Sequence, residues 1–175
     1  MEKFADHNKM INRKSFTLVE LLVVITIIIL FSGLSLATYN NFTQKKNLEK
    51  EVSQLVDVLS LAKGKSQASE ISLTCVSPEE FGGYRVELSG LDYNFKQCCR
   101  DITTKTISSC GSNIQSYNLP TGISNITGAT TIDFFPLSGG ATATTINIRS
   151  NPINKCLEVS TSETGVITTG DLSSC

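Results

Sequence analysis

Tryptophan is absent from this 175-residue chain, and histidine occurs once, at His7. Chemistry built on a histidine base or on histidine metal ligands therefore has almost nothing to work with. Proline and glycine are scarce at one end only. All four prolines lie at Pro78 or later, and the first 70 residues hold only Gly33 and Gly64. Helix breakers are thus nearly excluded from that stretch and frequent after it. Cysteine is missing before Cys75. Net charge is also nearly missing: 15 basic and 16 acidic side chains leave −1. No global basic field exists to drive nucleic-acid binding.

What is present is unevenly placed. Apolar residues make up 40% and charged residues 18%, a globular balance. Between Phe16 and Ala37, however, 16 of 22 residues are apolar. The run from Leu21 to Phe31 is broken only by Thr26. About 20 apolar residues span a bilayer core. Beyond Tyr39, Leu48, Val52, Leu55, Val56, Leu59 and Ala62 recur at three- and four-residue steps, one face of a helix. A continuous helix over 16–70 would be about 80 Å long. Its first half is expected to project and its second half to pack on a domain.

After residue 70 the pattern becomes short and extended. Ile71–Val76, Tyr84–Leu88, Asp92–Gln97, Ile132–Leu137, Thr144–Arg149, Leu157–Ser160 and Gly165–Thr168 read as strands. The pairs Gly82-Gly83 and Gly139-Gly140 read as turns. Serine and threonine supply 29 of residues 71–175, which suits solvated antiparallel strands in an extracytoplasmic domain. Thr103–Thr131 reads as a long loop with an irregular strand. The fold class expected is α+β: a long N-terminal helix whose second half packs on an antiparallel β-sheet.

Residues 1–14 carry Lys3, Lys9, Arg13 and Lys14 against Glu2 and Asp6, a net of +2. The positive-inside rule keeps this end in the cytoplasm and puts residue 40 onward outside. A conventional signal peptide cut at Ser35-Leu36-Ala37, or a plain transmembrane anchor, would share these features. Either would leave a membrane-anchored or secreted binding module. Glu20 argues against both. A carboxylate in a membrane helix costs about 2.5–3.5 kcal/mol at the centre, less near the end, and calls for a partner.

The stretch Lys14-Ser15-Phe16-Thr17-Leu18-Val19-Glu20-Leu21-Leu22-Val23-Val24-Ile25 resembles the processing motif of type IV pilins and type II secretion pseudopilins. The resemblance implies cleavage by a prepilin peptidase between Ser15 and Phe16, where the family usually has glycine before the cut. It implies N-methylation of Phe16. It also implies that Glu20 compensates the N-terminal amine of a neighbouring subunit as the helices bundle into a filament. A charge pair at low dielectric can select register. The mature chain would have 160 residues (175 − 15) and a net charge of −3 (11 basic, 14 acidic). The implied partners are other pilin or pseudopilin subunits, the peptidase, the assembly machinery and the lipid bilayer. The implied location is the bacterial inner membrane, then an extracytoplasmic filament. The subunit would be structural rather than enzymatic. The domain reading that follows is a leader over 1–15, a membrane and filament-core helix over 16–38, an amphipathic continuation over 39–70, and a β-rich domain over 71–175.

A looser resemblance links Leu55–Lys63, Gln67-Ala68 and Ile71–Cys75 to H-type minor pseudopilins and related minor pilins. Ile132–Gly140, Ile146–Ile148, Leu157–Val159 and Gly165–Ile167 are similar to their closing strands. Some relatives bind DNA through a basic C-terminal segment. Here Leu157–Cys175 has no lysine or arginine, and Glu158, Glu163 and Asp171 are acidic, which disfavours a nucleic-acid partner.

Cys75, Cys98, Cys99, Cys110, Cys156 and Cys175 all fall in the β-rich part. An even count in an exported domain points to disulfides. Cys156 is expected to pair with Cys175, Cys75 with Cys98 or Cys99, and Cys110 with the other. A metal site on Cys98, Cys99 and Cys110 would lack the usual paired spacing and any nearby histidine. Asp92, Asp101, Asp133 and Asp171 form no calcium-loop pattern. Neither a nucleophile–base pattern nor a cofactor site is legible.

Overall fold

The computed structural model describes residues 16–137 and 139–175, with backbone alone at 33–38. The chain falls into two compact units that divide between Asn40 and Asn41. One helix, α1 (Leu18–Gln67), runs through both. Its start lies two residues after the expected Phe16. Among the described residues no helix is long and apolar enough to cross a membrane. The apolar stretch with described side chains ends at Ser32.

In the second unit α1 lies over β-structure. Leu48, Val52, Leu55, Val58, Leu59 and Ala62 are buried and join one core with both sheets. The face differs from expectation by one position. Val58 is buried where Val56 was expected, and Val56 is half-buried against the core rim. The stripe is therefore wider than a three- and four-step count predicts.

The first sheet has strand order β3-β2-β1-β5, from β1 (Glu79–Leu88), β2 (Asp92–Asp101), β3 (Ile107–Asn118) and β5 (Thr130–Phe134). The second has order β4-β6-β7-β8, from β4 (Ile123–Asn125), β6 (Thr144–Ser150), β7 (Lys155–Thr161) and β8 (Ile167–Thr169), and β9 (Ser173–Ser174) also pairs with β7. Every pairing is antiparallel. Alternation along the strands points Tyr84, Val86, Leu88, Tyr93, Phe95, Ile132, Phe134, Ile146, Ile148 and Val159 into the core.

Three expectations after residue 70 need correction. Ile71–Val76 is not a strand. Its backbone is held instead by one side chain: Ser72 and Leu73 N–H both donate to Gln97 Oε1 at 2.7 Å, and Gln97 Nε2 donates to the Leu73 carbonyl at 3.0 Å. Gln97 is 2% exposed, and a buried amide of that kind must be satisfied. Gly82-Gly83 is not a turn. It lies inside β1, where the register slips between Phe81 and Gly83. Gly83 has φ +109°, and a β-carbon there would stand 2.0 Å from the Phe134 carbonyl oxygen, so glycine is required. Thr103–Thr131 holds the irregular strand expected there, β3, but the rest is not one long loop. The stretch contains all of β3, the longest strand, all of β4 and the start of β5. β3 is mostly exposed and uncharged, so no alternation marks it, and its register against β2 shifts three times.

The helix is locked to the first sheet by Ser66. Its hydroxyl accepts from Tyr84 N–H at 2.9 Å and donates to the Phe134 carbonyl at 2.6 Å. Tyr84 and Phe134 are opposed in the β1–β5 register, so the hydroxyl bridges a rung of that ladder. Tyr84 also stacks on Phe95 and donates its hydroxyl to the Glu70 carbonyl, just past the helix end.

Candidate processing and assembly site

The helix start sets the geometry at the N-terminal motif. Phe16 and Thr17 precede the first helical residue, Leu18. Thr17 is the N-cap: its Oγ1 accepts from Glu20 N–H at 3.2 Å, and its carbonyl accepts from Leu21 N–H at 3.1 Å. Four N–H groups lack helical partners at a helix start, and this cap satisfies one of them. Glu20 sits in the first turn, where the helix dipole favours negative charge. The spacing Thr17-x-x-Glu20 is the sequence signature of a capping box. That signal was available in the sequence and would have moved the expected start from Phe16 to Leu18.

The side chains that follow offer one kind of surface. Phe16 and Leu18 are each 79% exposed, and Leu22, Ile25 and Ile29 are also exposed. Apolar side chains face outward on every side of this segment, with Glu20 the one charge among them. Thr26 hides its hydroxyl on the Val23 carbonyl at 2.8 Å. A helix apolar all round has to be covered by lipid or by other helices. Ser15, the residue expected before the cut, and the basic leader lie outside the described residues.

The other candidate residues lie in the second unit. The cysteines pair as Cys75–Cys99, Cys98–Cys110 and Cys156–Cys175, with Cα separations of 5.7, 4.0 and 5.2 Å. Adjacent Cys98 and Cys99 therefore leave β2 in two directions. One reaches β3 at its register partner Cys110, and the other ties down the 71–76 segment. Cys156–Cys175 fastens the chain end onto β7.

The aspartates do not converge. Asp133 takes a two-point contact from Arg85, at 2.6 and 2.9 Å, across β5 and β1. Asp101 accepts from Thr103 and Thr104 N–H in the β2–β3 turn, and those donors hold its carboxyl below the usual range. Among the described residues no group of three or more metal-ligating side chains occurs.

Against known families, the profile of the prokaryotic N-terminal methylation motif matches residues 10–36. The chain carries this motif. The match takes in Arg13, Lys14, Phe16, Thr17, Glu20 and the apolar run up to Leu36. It supports a type IV pilin-like subunit, a structural class processed by prepilin peptidase and assembled with other pilin subunits. The motif implies anchoring in the inner membrane, then an extracellular filament. The α+β fold, an N-terminal helix packed on antiparallel sheets, is consistent with a pilin-like fold. No curated protein and no solved structure matches the chain.

Proposed function

We propose that this chain is a minor pilin-like subunit of a type IV pilus or a type II secretion pseudopilus, nearest to the H-type minor pseudopilins. The observation that carries the reading is the methylation-motif match over residues 10–36. Prepilin peptidase would cut between Ser15 and Phe16 and methylate the Phe16 amine. The apolar helix would hold the subunit in the bilayer, and the same surface would then pack in the filament. Glu20, the one charge among the exposed apolar side chains, would compensate a neighbour's amine. The three disulfides fit an oxidising, extracytoplasmic setting for the β-rich unit. The domain reading stands with this proposal: leader 1–15, core helix 16–38, continuation 39–70, β-domain 71–175.

Mass spectrometry of the protein's N-terminus from its host tests the processing step. Methylated Phe16 is expected; Thr38 or intact Met1 would overturn the reading. Glu20→Ala should insert in the membrane normally yet enter filaments poorly. Normal incorporation of that variant would remove the role given to Glu20.

A further inference from the structure

Charge after the apolar run is not spread evenly. Residues 41–50 carry Lys45, Lys46 and Lys50 against Glu49, a net of +2 (3 − 1). Residues 51–175 carry 8 basic and 12 acidic side chains, a net of −4 (8 − 12). The positive end is therefore where the chain enters the second unit, which begins at Asn41. One carboxylate serves two cations there: Lys46 donates to Glu49 at 2.7 Å, and Lys45 stands 3.8 Å from it. Lys46 also lies 5.8 Å from the centre of the exposed Phe42 ring.

A groove opens at the same place. α1 lines it with Asn41 and Lys45, the β6–β7 turn with Pro152 and Ile153, the start of β7 with Lys155, and the link from β8 to β9 with Leu172. Ile153 and Leu172 are half-buried, and Leu172 packs on the core. Lys155 makes a long contact, 3.4 Å, with Ser174 Oγ. The groove thus joins apolar surface to an ammonium group from each of two elements. Lysine binds phosphate as a point charge, so this lining suits a phosphate carried on an apolar chain.

We propose that this groove seats the headgroup of an anionic phospholipid from the outer leaflet. The inference rests on the proposed membrane anchoring of the 16–38 helix and adds the lipid class that this chain reads. Four residues take the chain from Ala37, the end of the apolar run, to Asn41, a reach of at most about 14 Å. The headgroup layer on each side of a bilayer is about 5–8 Å deep. Chain length alone therefore keeps the entry to the groove at that layer or just above it. Lys45 and Lys155 neutralise the phosphate, while Pro152, Ile153 and Leu172 cover the glycerol and the first methylenes. Phe42 adds an aromatic ring of the kind found at headgroup level. A zwitterionic headgroup brings its own ammonium and gains less from the two lysines.

The test uses the full-length chain in vesicles of phosphatidylcholine, alone or mixed with phosphatidylglycerol. Flotation on a density gradient reports anchoring. A membrane-impermeant acetylating reagent, read residue by residue by mass spectrometry, reports lysine access. Lys45 and Lys155 should label about fivefold more slowly in the mixed vesicles, the weight of one lysine beside an anionic surface. Lys105, at the β2–β3 turn, should label equally in both. Added sodium chloride should shrink the difference. Inorganic phosphate added to the phosphatidylcholine vesicles should not reproduce it.

Equal labelling of Lys45 and Lys155 in both floated samples would overturn the inference and leave the anchor intact. So would protection in both, which would mean that another copy of the chain fills the groove. Protection of Lys46 and Lys50 alone would mean a flat basic surface, and protection by inorganic phosphate a free-anion site; either overturns it. A chain that floats with neither vesicle would overturn the anchoring, and this inference with it.

Discussion

At the scale of single residues, two side chains settle how the helix meets the sheet. Ser66 replaces a direct backbone contact between Tyr84 and Phe134, and Gly83 leaves the room for it, with Ser66 Oγ 3.1 Å from where a β-carbon would stand. Ser66→Ala leaves a buried N–H and a buried carbonyl without their partner. It should cost about 1–3 kcal/mol in denaturant unfolding. Gly83→Ala meets both the positive φ and the Phe134 carbonyl, and should cost about 2 kcal/mol or more. If Gly83→Ala unfolds at the wild-type denaturant concentration, the bulge is not needed where the helix docks. Neither role was legible beforehand, because a lone serine in a helix and a glycine pair carry no mark of what lies opposite. The N-terminal methylation motif was legible, since Phe16, Glu20 and the apolar run are local in sequence.

At the scale of elements, the exposed face of the first sheet is paved with opposite charges. Glu80 on β1 accepts from Arg100 Nε on β2 at 2.7 Å and from Lys105 at 2.8 Å. Lys105, then Arg100, hold the Glu80 carboxyl below its ordinary value of 4.5. A depressed carboxyl stabilises the fold above pH 4.5, and that contribution disappears as pH falls through the lower folded value. The thermal midpoint of wild type should therefore drop more between pH 7 and pH 3 than that of Glu80→Gln. Added salt should narrow the gap, because the group is solvated. Equal drops would show that the cluster contributes nothing.

This scale also divides what the sequence revealed from what it hid. β5, β6, β7 and β8 alternate or cluster apolar residues and were legible. Ile71–Val76 alternates too, but no strand pairs with it; Gln97 supplies its hydrogen bonds from 24 and 25 residues away. β3 was hidden for the opposite reason: it pairs along its length while burying little.

At the scale of the whole molecule, the division between Asn40 and Asn41 separates two solubility problems. The second unit has its own core, both sheets and all three disulfides. A fragment over 41–175, made in an oxidising compartment, should stay in solution without detergent and unfold in one transition. Each disulfide should contribute about 2–4 kcal/mol, so reductant should lower its midpoint sharply. A fragment that precipitates or shows no transition would mean that the first 40 residues are part of its folding unit. The full chain, with the Phe16–Phe31 apolar surface exposed, should need detergent.

The irregular pairing of β3 bears on what happens when many copies are crowded side by side. An uncharged twelve-residue strand at the rim of a sheet is an open template for a stranger's backbone, and charges or prolines usually deter that. β3 has neither. Its three register shifts put extra residues into the strand, so its unpaired backbone groups fall out of step with any straight strand that approaches. Neighbouring copies can touch there without zipping together into a cross-β stack. Trimming those extra residues would regularise the strand and, by the same reasoning, turn a well-behaved subunit into a fibril seed.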